Sequence, residues 1–337
     1  MAALGNLKKL YLEHDAGIQP SQLREFAWLP NLESLQFGNE TITDAGLLEG
    51  FRGIKFPNLE LLAIGRCNSD GTGVAAFAGA PLVSLRLASL SDAGAAVVGQ
   101  FKDLETLTVN EPKISGTGLT HLAKLSKLRE LKLQNLKTLS DEDFTTLETM
   151  TGLYRVELEG SGAGDKTAKA ISKHLIRHLT IGSPDFTDEG MKHIGTMASL
   201  NSGIRIGAEA KVTDAGIRHF WAPKWIRNIT IMCPGGITGS SFETLSNLTN
   251  LVRVEIRSRD LTDVGLRYLG YLPKLQHAYF GGHGGNGAKV TDKGLLYLAE
   301  APKLRVVKFS REGCPVTDAG IEAFKQKRPD VLVQFGW

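Results

Sequence analysis

The pattern L-x-x-L-x-L returns along the whole chain, and this period constrains the fold more than any other feature. It reads Leu7-Leu10-Leu12, Leu32-Leu35-Phe37, Leu59-Leu62-Ile64, Leu82-Leu85-Leu87 and Leu104-Leu107-Val109. It continues as Leu128-Leu131-Leu133, Leu153-Val156-Leu158 and Ile176-Leu179-Ile181. An irregular ninth copy has Asn201 in the first slot ahead of Ile204 and Ile206. Four more follow, Ile226-Ile229-Ile231, Leu251-Val254-Ile256, Leu275-Ala278-Phe280 and Leu304-Val307-Phe309, and Val333 with Phe335 makes a last partial copy. Thirteen units and a terminal strand in 337 residues give a period of roughly 25 residues. A unit this short cannot bury its own apolar face, so neighbours must stack and share a continuous core.

A second motif lies between these segments. It is clearest as Thr43-Asp44-Ala45-Gly46-Leu47, Thr187-Asp188-Glu189-Gly190-Met191 and Thr213-Asp214-Ala215-Gly216-Ile217. It recurs at Thr262, Thr291 and Thr317, with degraded copies at Ser115 and Thr238. Thr and Asp start helices, because a side-chain oxygen accepts a free amide of the first turn, and an acid suits the positive end of the helix dipole. Apolar residues then recur at helical spacing, as in Leu266, Leu269 and Leu272, before the next strand. Each unit therefore reads as strand, turn, short helix and return.

With both motifs in register over essentially the whole chain, the sequence resembles the leucine-rich repeat family, in its bacterial type with repeats of the form I-T-D-x-G-L-x-x-L-x-x-L. The resemblance implies an α/β fold: a leucine-rich repeat solenoid, or horseshoe, with a parallel sheet on the concave face and short helices on the convex face. No linker interrupts the array, so residues 1–337 are expected to form a single domain. Two departures stand out. The asparagine ladder common after the strand is not regular here, and units three, seven and nine are degenerate.

Composition narrows the function. The formal net charge is only +3, from 39 basic and 36 acidic residues, which points away from both nucleic acid and an anionic membrane as partner. The apolar runs are too short for a membrane span. The three cysteines, Cys67, Cys233 and Cys314, form no C-x-x-C pair, so no zinc or redox motif is expected. Cys233 and Cys314 lie three units apart, on the order of 14 Å at the strand spacing, beyond disulfide reach. Free thiols and no signal peptide favour the cytoplasm. The chain also reads as starting inside a repeat, near Leu4 and Leu7, which leaves open an exported parent protein with further sequence upstream.

The search for chemistry yields little. His121, His193 and His219 share one helix slot, which Tyr268 and Tyr297 fill in later units, so they read as repeat residues of the convex side. Glu157 and Glu159 are two apart, as if facing the concave side from one strand, near the separation glycosidases use. Lys132 and Arg155 neighbour Glu157, however, and nothing suggests a raised pKa. The glycine-rich run 281–287 follows the twelfth strand and lacks the G-K-[ST] ending of a phosphate loop. No metal ligands and no cofactor are expected.

The concave column reads Tyr11, Gln36, Ala63, Arg86, Thr108, Lys132, Glu157, Thr180, Arg205, Thr230, Glu255, Tyr279 and Lys308. Its C-terminal half is richer in Arg and Tyr, the types that dominate binding hot spots. The expected site is Arg205, Arg253, Glu255, Arg257, His277, Tyr279 and Lys308, with a secondary patch at Lys132, Arg155 and Glu157. The expected function is a non-catalytic, monomeric scaffold that binds a protein partner. A carbohydrate or cell-envelope ligand is the alternative, with only Tyr11 and Tyr279 as stacking platforms, and a hydrolase ranks third.

Overall fold

Each copy of the first motif delivers one short strand. The computed structural model describes residues 5–13, 20–38, 42–65, 68–282 and 287–336. Leu4, Cys67, Trp337 and residues 283–286 of the glycine-rich run lie outside these. The chain divides into two compact units, Met1–Ser161 and Gly162–Trp337.

In the first unit the strands are β1 (Lys9–Glu13), β2 (Ser34–Gly38), β3 (Leu61–Ile64), β4 (Ser84–Leu90), β5 (Thr106–Pro112), β6 (Glu130–Leu133) and β7 (Arg155–Glu157). Each pairs in parallel with the next in chain order. In the second unit β8 (His178–Ile181), β9 (Gly203–Ile206), β10 (Asn228–Ile231), β11 (Arg253–Arg257), β12 (His277–Gly281), β13 (Val306–Phe309) and β14 (Leu332–Phe335) do the same. Short helices such as Asp44–Gly50, Asp188–Ile194 and Asp263–Gly270 connect successive strands. Both units thus have the leucine-rich repeat architecture, a parallel sheet backed by a row of short helices.

Strand alternation decides what is buried. Leu62, Leu85, Leu107, Leu131, Leu179, Val254 and Val307 are fully buried, while the residues after them occupy the open face. Aromatic rings fill the wider layers. Phe51 packs at 5.2–5.3 Å from Phe56 and Phe77 in the first unit, and Phe280 stacks on Phe309 at 5.2 Å in the second. Burying one such side chain is worth about 1.5–3 kcal/mol, so each repeat gains by covering its neighbour.

The threonine motif does more than start a helix. Thr213 Oγ1 accepts the Ala215 amide of its own helix, as capping requires. Its hydroxyl also donates to Asp188 Oδ2 of the preceding repeat at 2.6 Å, and its amide donates to Asp188 Oδ1 at 2.7 Å. The same two bonds join Asp92 to Ser115, Asp165 to Thr187, Asp214 to Thr238, Asp263 to Thr291 and Asp292 to Thr317. The aspartate therefore clamps the next repeat. These carboxylates form a ladder along the helix starts. It also explains the motif glycine: a Cβ on Gly190 would lie 2.5 Å from Asp165 Oδ1 and 2.7 Å from the Phe186 ring.

One expectation changes. Glu159 does not extend the strand of Glu157. β7 ends at Glu157, and Glu159 sits in a turn with Gly160 at φ +66°, where its carbonyl accepts the Asn135 amide. At the C-terminal end, Phe335 packs edge-on to Phe309 at 5.3 Å but stays 46% exposed. Arg328 also ties this end together. Its guanidinium donates to the carbonyls of Ala299, Ala301 and Leu304 and pairs with Asp330.

Candidate functional site

The register of the second sheet gathers the expected site into one patch. Thr180, Arg205, Thr230, Glu255, Tyr279, Lys308 and Gln334 stand side by side on successive strands. Arg253 and His277 are neighbours one row earlier, and Arg257 lies beside Gly281 one row later. Ala278 and Phe280 turn inward from the same segments and hold β12 in the core.

Glu255 is the centre of the patch. It is only 4% exposed, and a carboxylate that loses water needs charged partners. Arg257 supplies Nε and Nη2, each 2.8 Å from Oε1, and Arg253 Nη2 lies 3.3 Å from Oε2. The Arg253 guanidinium also sits 4.5 Å from the centre of the Tyr279 ring. That ring meets His277 edge-on at 6.0 Å, with the hydroxyl 3.4 Å from Nδ1. Burial, with the charges of Arg253 and Arg305, holds the His277 pKa below its usual value. The shift favours the neutral ring, and the patch gathers Arg205, Arg253, Arg257 and Lys308 around the Glu255 carboxylate.

The first unit repeats the device. Arg155-Val156-Glu157 on β7 matches Arg253-Val254-Glu255 on β11. Arg155 Nη2 is 2.6 Å and Lys132 Nζ 2.9 Å from the Glu157 carboxylate. Burial pushes the Glu157 carboxyl up, but hydrogen bonds and charge from Lys132 and Arg155 outweigh it, so its pKa is lowered. A group held ionised in this way is a poor general acid.

Elsewhere on that sheet, a hollow of about 470 Å³ opens over Ala63, the smallest residue of the column, bordered by Gln36, Arg86 and Asn110. Cys233 is buried and its thiol pushed up to about 11, whereas Cys314 is partly buried; both are free. Among the described residues no three His, Cys, Asp or Glu side chains gather as a metal-ligand set. No helix among them is long and apolar enough to cross a membrane.

Reasoning from the sequence missed two features. The aspartate clamp was encoded in T-D-x-G, whose recurring glycine marks a close approach. The exposed side chains of Trp221 and Trp225 were signalled only by their position between a helix and a strand.

No family model matches the sequence, and no curated protein matches it either. Solved structures do match in fold. An internalin from Listeria monocytogenes superposes with a TM-score of 0.54 at 18% identity, covering 92% of this chain and 76% of that one. Rad7 in its yeast complex with Elc1 gives 0.54 at 17% identity, covering 97% and 73%. At this identity the similarity concerns the fold.

Proposed function

We propose that the chain is a non-catalytic scaffold that holds a protein partner on the open face of its sheet. The observation that carries this reading is the locking of Arg253 between the Glu255 carboxylate and the Tyr279 ring. Arg and Tyr anchors dominate protein interfaces, and side chains already fixed before binding lose less entropy when a partner arrives. Arg205, Arg257, His277 and Lys308 complete the surface. Its arginines and lysine suit a partner with carboxylates opposite them. The solved complex of Rad7 with Elc1 supports a protein as the partner of such a fold. On this reading the chain acts as a monomer.

The alternatives fit less well. A sugar ring needs an open aromatic face, and Arg253 covers one face of Tyr279. A two-carboxylate glycosidase needs a carboxylic acid with a raised pKa, and Glu157 is lowered. Photo-cross-linking separates the readings. A benzophenone side chain at position 279 is expected to capture a protein from native extract, while one at position 297, on the helical side, is not. Equal capture at both positions would remove the open face from consideration.

A further inference from the structure

We infer that the edge of the second unit formed by the segments leading into β8–β12 is a contact surface for an anionic lipid bilayer. These segments span 172–178, 195–203, 218–228, 246–253 and 270–277. None contains an Asp or Glu. Leaving aside Arg253, which belongs to the open-face cluster, they carry Lys173, Arg177, Arg218, Lys224, Arg227 and Lys274.

Backbone bonds make them one continuous edge: Ser202 N to Arg177 O at 3.0 Å, Ala222 N to Gly195 O at 3.1 Å, Val252 N to Arg227 O and Gln276 N to Val252 O at 2.8 Å. The corresponding segments of the first unit show what this edge looks like when it only faces water. There Glu33, Glu60, Asp103, Glu105 and Glu130 are interspersed with the cations, and Lys8–Glu33 and Lys127–Asp103 pair at 2.7 and 2.6 Å. The five segments leading into β8–β12 have no such carboxylates. Among the described residues no ion pair engages Arg218, Lys224 or Arg227.

Apolar side chains project from this cationic strip. Leu175 is 74% exposed, Trp221 58%, Trp225 68% and Tyr271 60%. Between the two tryptophans, buried Pro223 and a turn closed by Lys224 N to Ala222 O at 2.8 Å direct both outward. Among the described residues neither indole joins a hydrogen bond or a ring contact.

The occupant follows from this chemistry. Indole rings with their polar tips unengaged settle at the headgroup level of a bilayer, as do phenol rings such as that of Tyr271, and Lys and Arg beside them meet anionic headgroups. Leu175 has an aliphatic chain, which inserts among acyl chains but offers nothing for a nucleobase to stack on. The four apolar tips are spread over several repeats, about 4.8 Å apart per strand. A protein hot spot instead concentrates its anchors at one centre. With no helix able to cross, the contact is peripheral.

The test uses the full chain with Trp28→Phe and Trp337→Phe, so that emission reports Trp221 and Trp225. Vesicles of equimolar phosphatidylserine and phosphatidylcholine are expected to bind it, shift the emission to the blue, and release it at high salt. Pure phosphatidylcholine is expected to do much less. Each cation near an anionic surface favours binding about fivefold, so Arg218→Gln/Lys224→Gln/Arg227→Gln is expected to weaken partitioning by about a hundredfold. Trp221→Ser/Trp225→Ser is expected to weaken it as well, with the circular dichroism unchanged in both variants. No binding to the anionic vesicles, or binding without a blue shift, overturns the inference. So does binding of polyglutamate or a single-stranded oligonucleotide by a chain that ignores the vesicles.

Discussion

Asp214 is buried, yet its carboxyl is acidic. Burial pushes the pKa up, but hydrogen bonds from Thr238 and Ser241 outweigh it and set the folded value below 3.8. The sign follows from linkage. A carboxyl with a depressed folded pKa contributes its full stabilisation above the unfolded value and loses it as pH falls through the folded one. Asp214→Ala strands the Thr238 and Ser241 donors and is expected to cost about 3 kcal/mol at neutral pH. In urea titrations the gap to the wild type is expected to narrow below about pH 4; a gap independent of pH would refute the clamp. Cys233 gives a second test at this scale. With its thiol pushed up to about 11 by burial, Cys233 is expected to stay unlabelled by a disulfide reagent at pH 8 and to react on unfolding. Peptide mapping that finds native Cys233 labelled would contradict its placement.

At the scale of the element, the unit is a strand, a capped helix and a carboxylate that reaches the next cap. Gly190→Ala puts a methyl against Asp165 Oδ1 and the Phe186 ring, neither of which moves freely, since Asp165 also holds Thr187 and the Gly190 amide. Overpacking of this kind costs about 1–3 kcal/mol. Gly79→Ala, where nothing lies within 4 Å of the added carbon but φ is +87°, tests backbone strain alone, and comparing the two melting temperatures separates the effects. No loss in Gly190→Ala, whose backbone needs no positive φ, would mean that the close approach contributes nothing. The strands and their inward leucines were legible in the sequence because alternation is local. The capping role of Thr213 was legible for the same reason. The reach of Asp188 to Thr213 was not, because it depends on how repeats stack. The turn at Glu159 escaped because the strand's end is set by Gly160 and by the Asn135 amide, not by the leucine pattern. The open-face column could be written down beforehand; the fork of Arg253 and Arg257 on Glu255 required side-chain positions.

At the scale of the whole molecule, we propose that the repeat period, which runs through residues 153–181 without interruption, makes the chain one cooperative array. Repeat stability is a sum of intrinsic and nearest-neighbour contributions, so a fragment of residues 162–337 is expected to melt lower than the full chain and to self-associate through its newly exposed first repeat. A fragment as stable and as soluble as the whole would make the two units independent domains. The binding site that we propose lies on the open face of the second unit. Its most direct test is the affinity of Arg253→Ala/Tyr279→Ala for the partner captured through position 279, measured by calorimetry beside Tyr297→Ala on the helical side. The double variant is expected to lose about thirtyfold or more, the mark of a hot spot, while Tyr297→Ala binds as the wild type does. Wild-type affinity in the double variant, with its circular dichroism intact, would contradict the account.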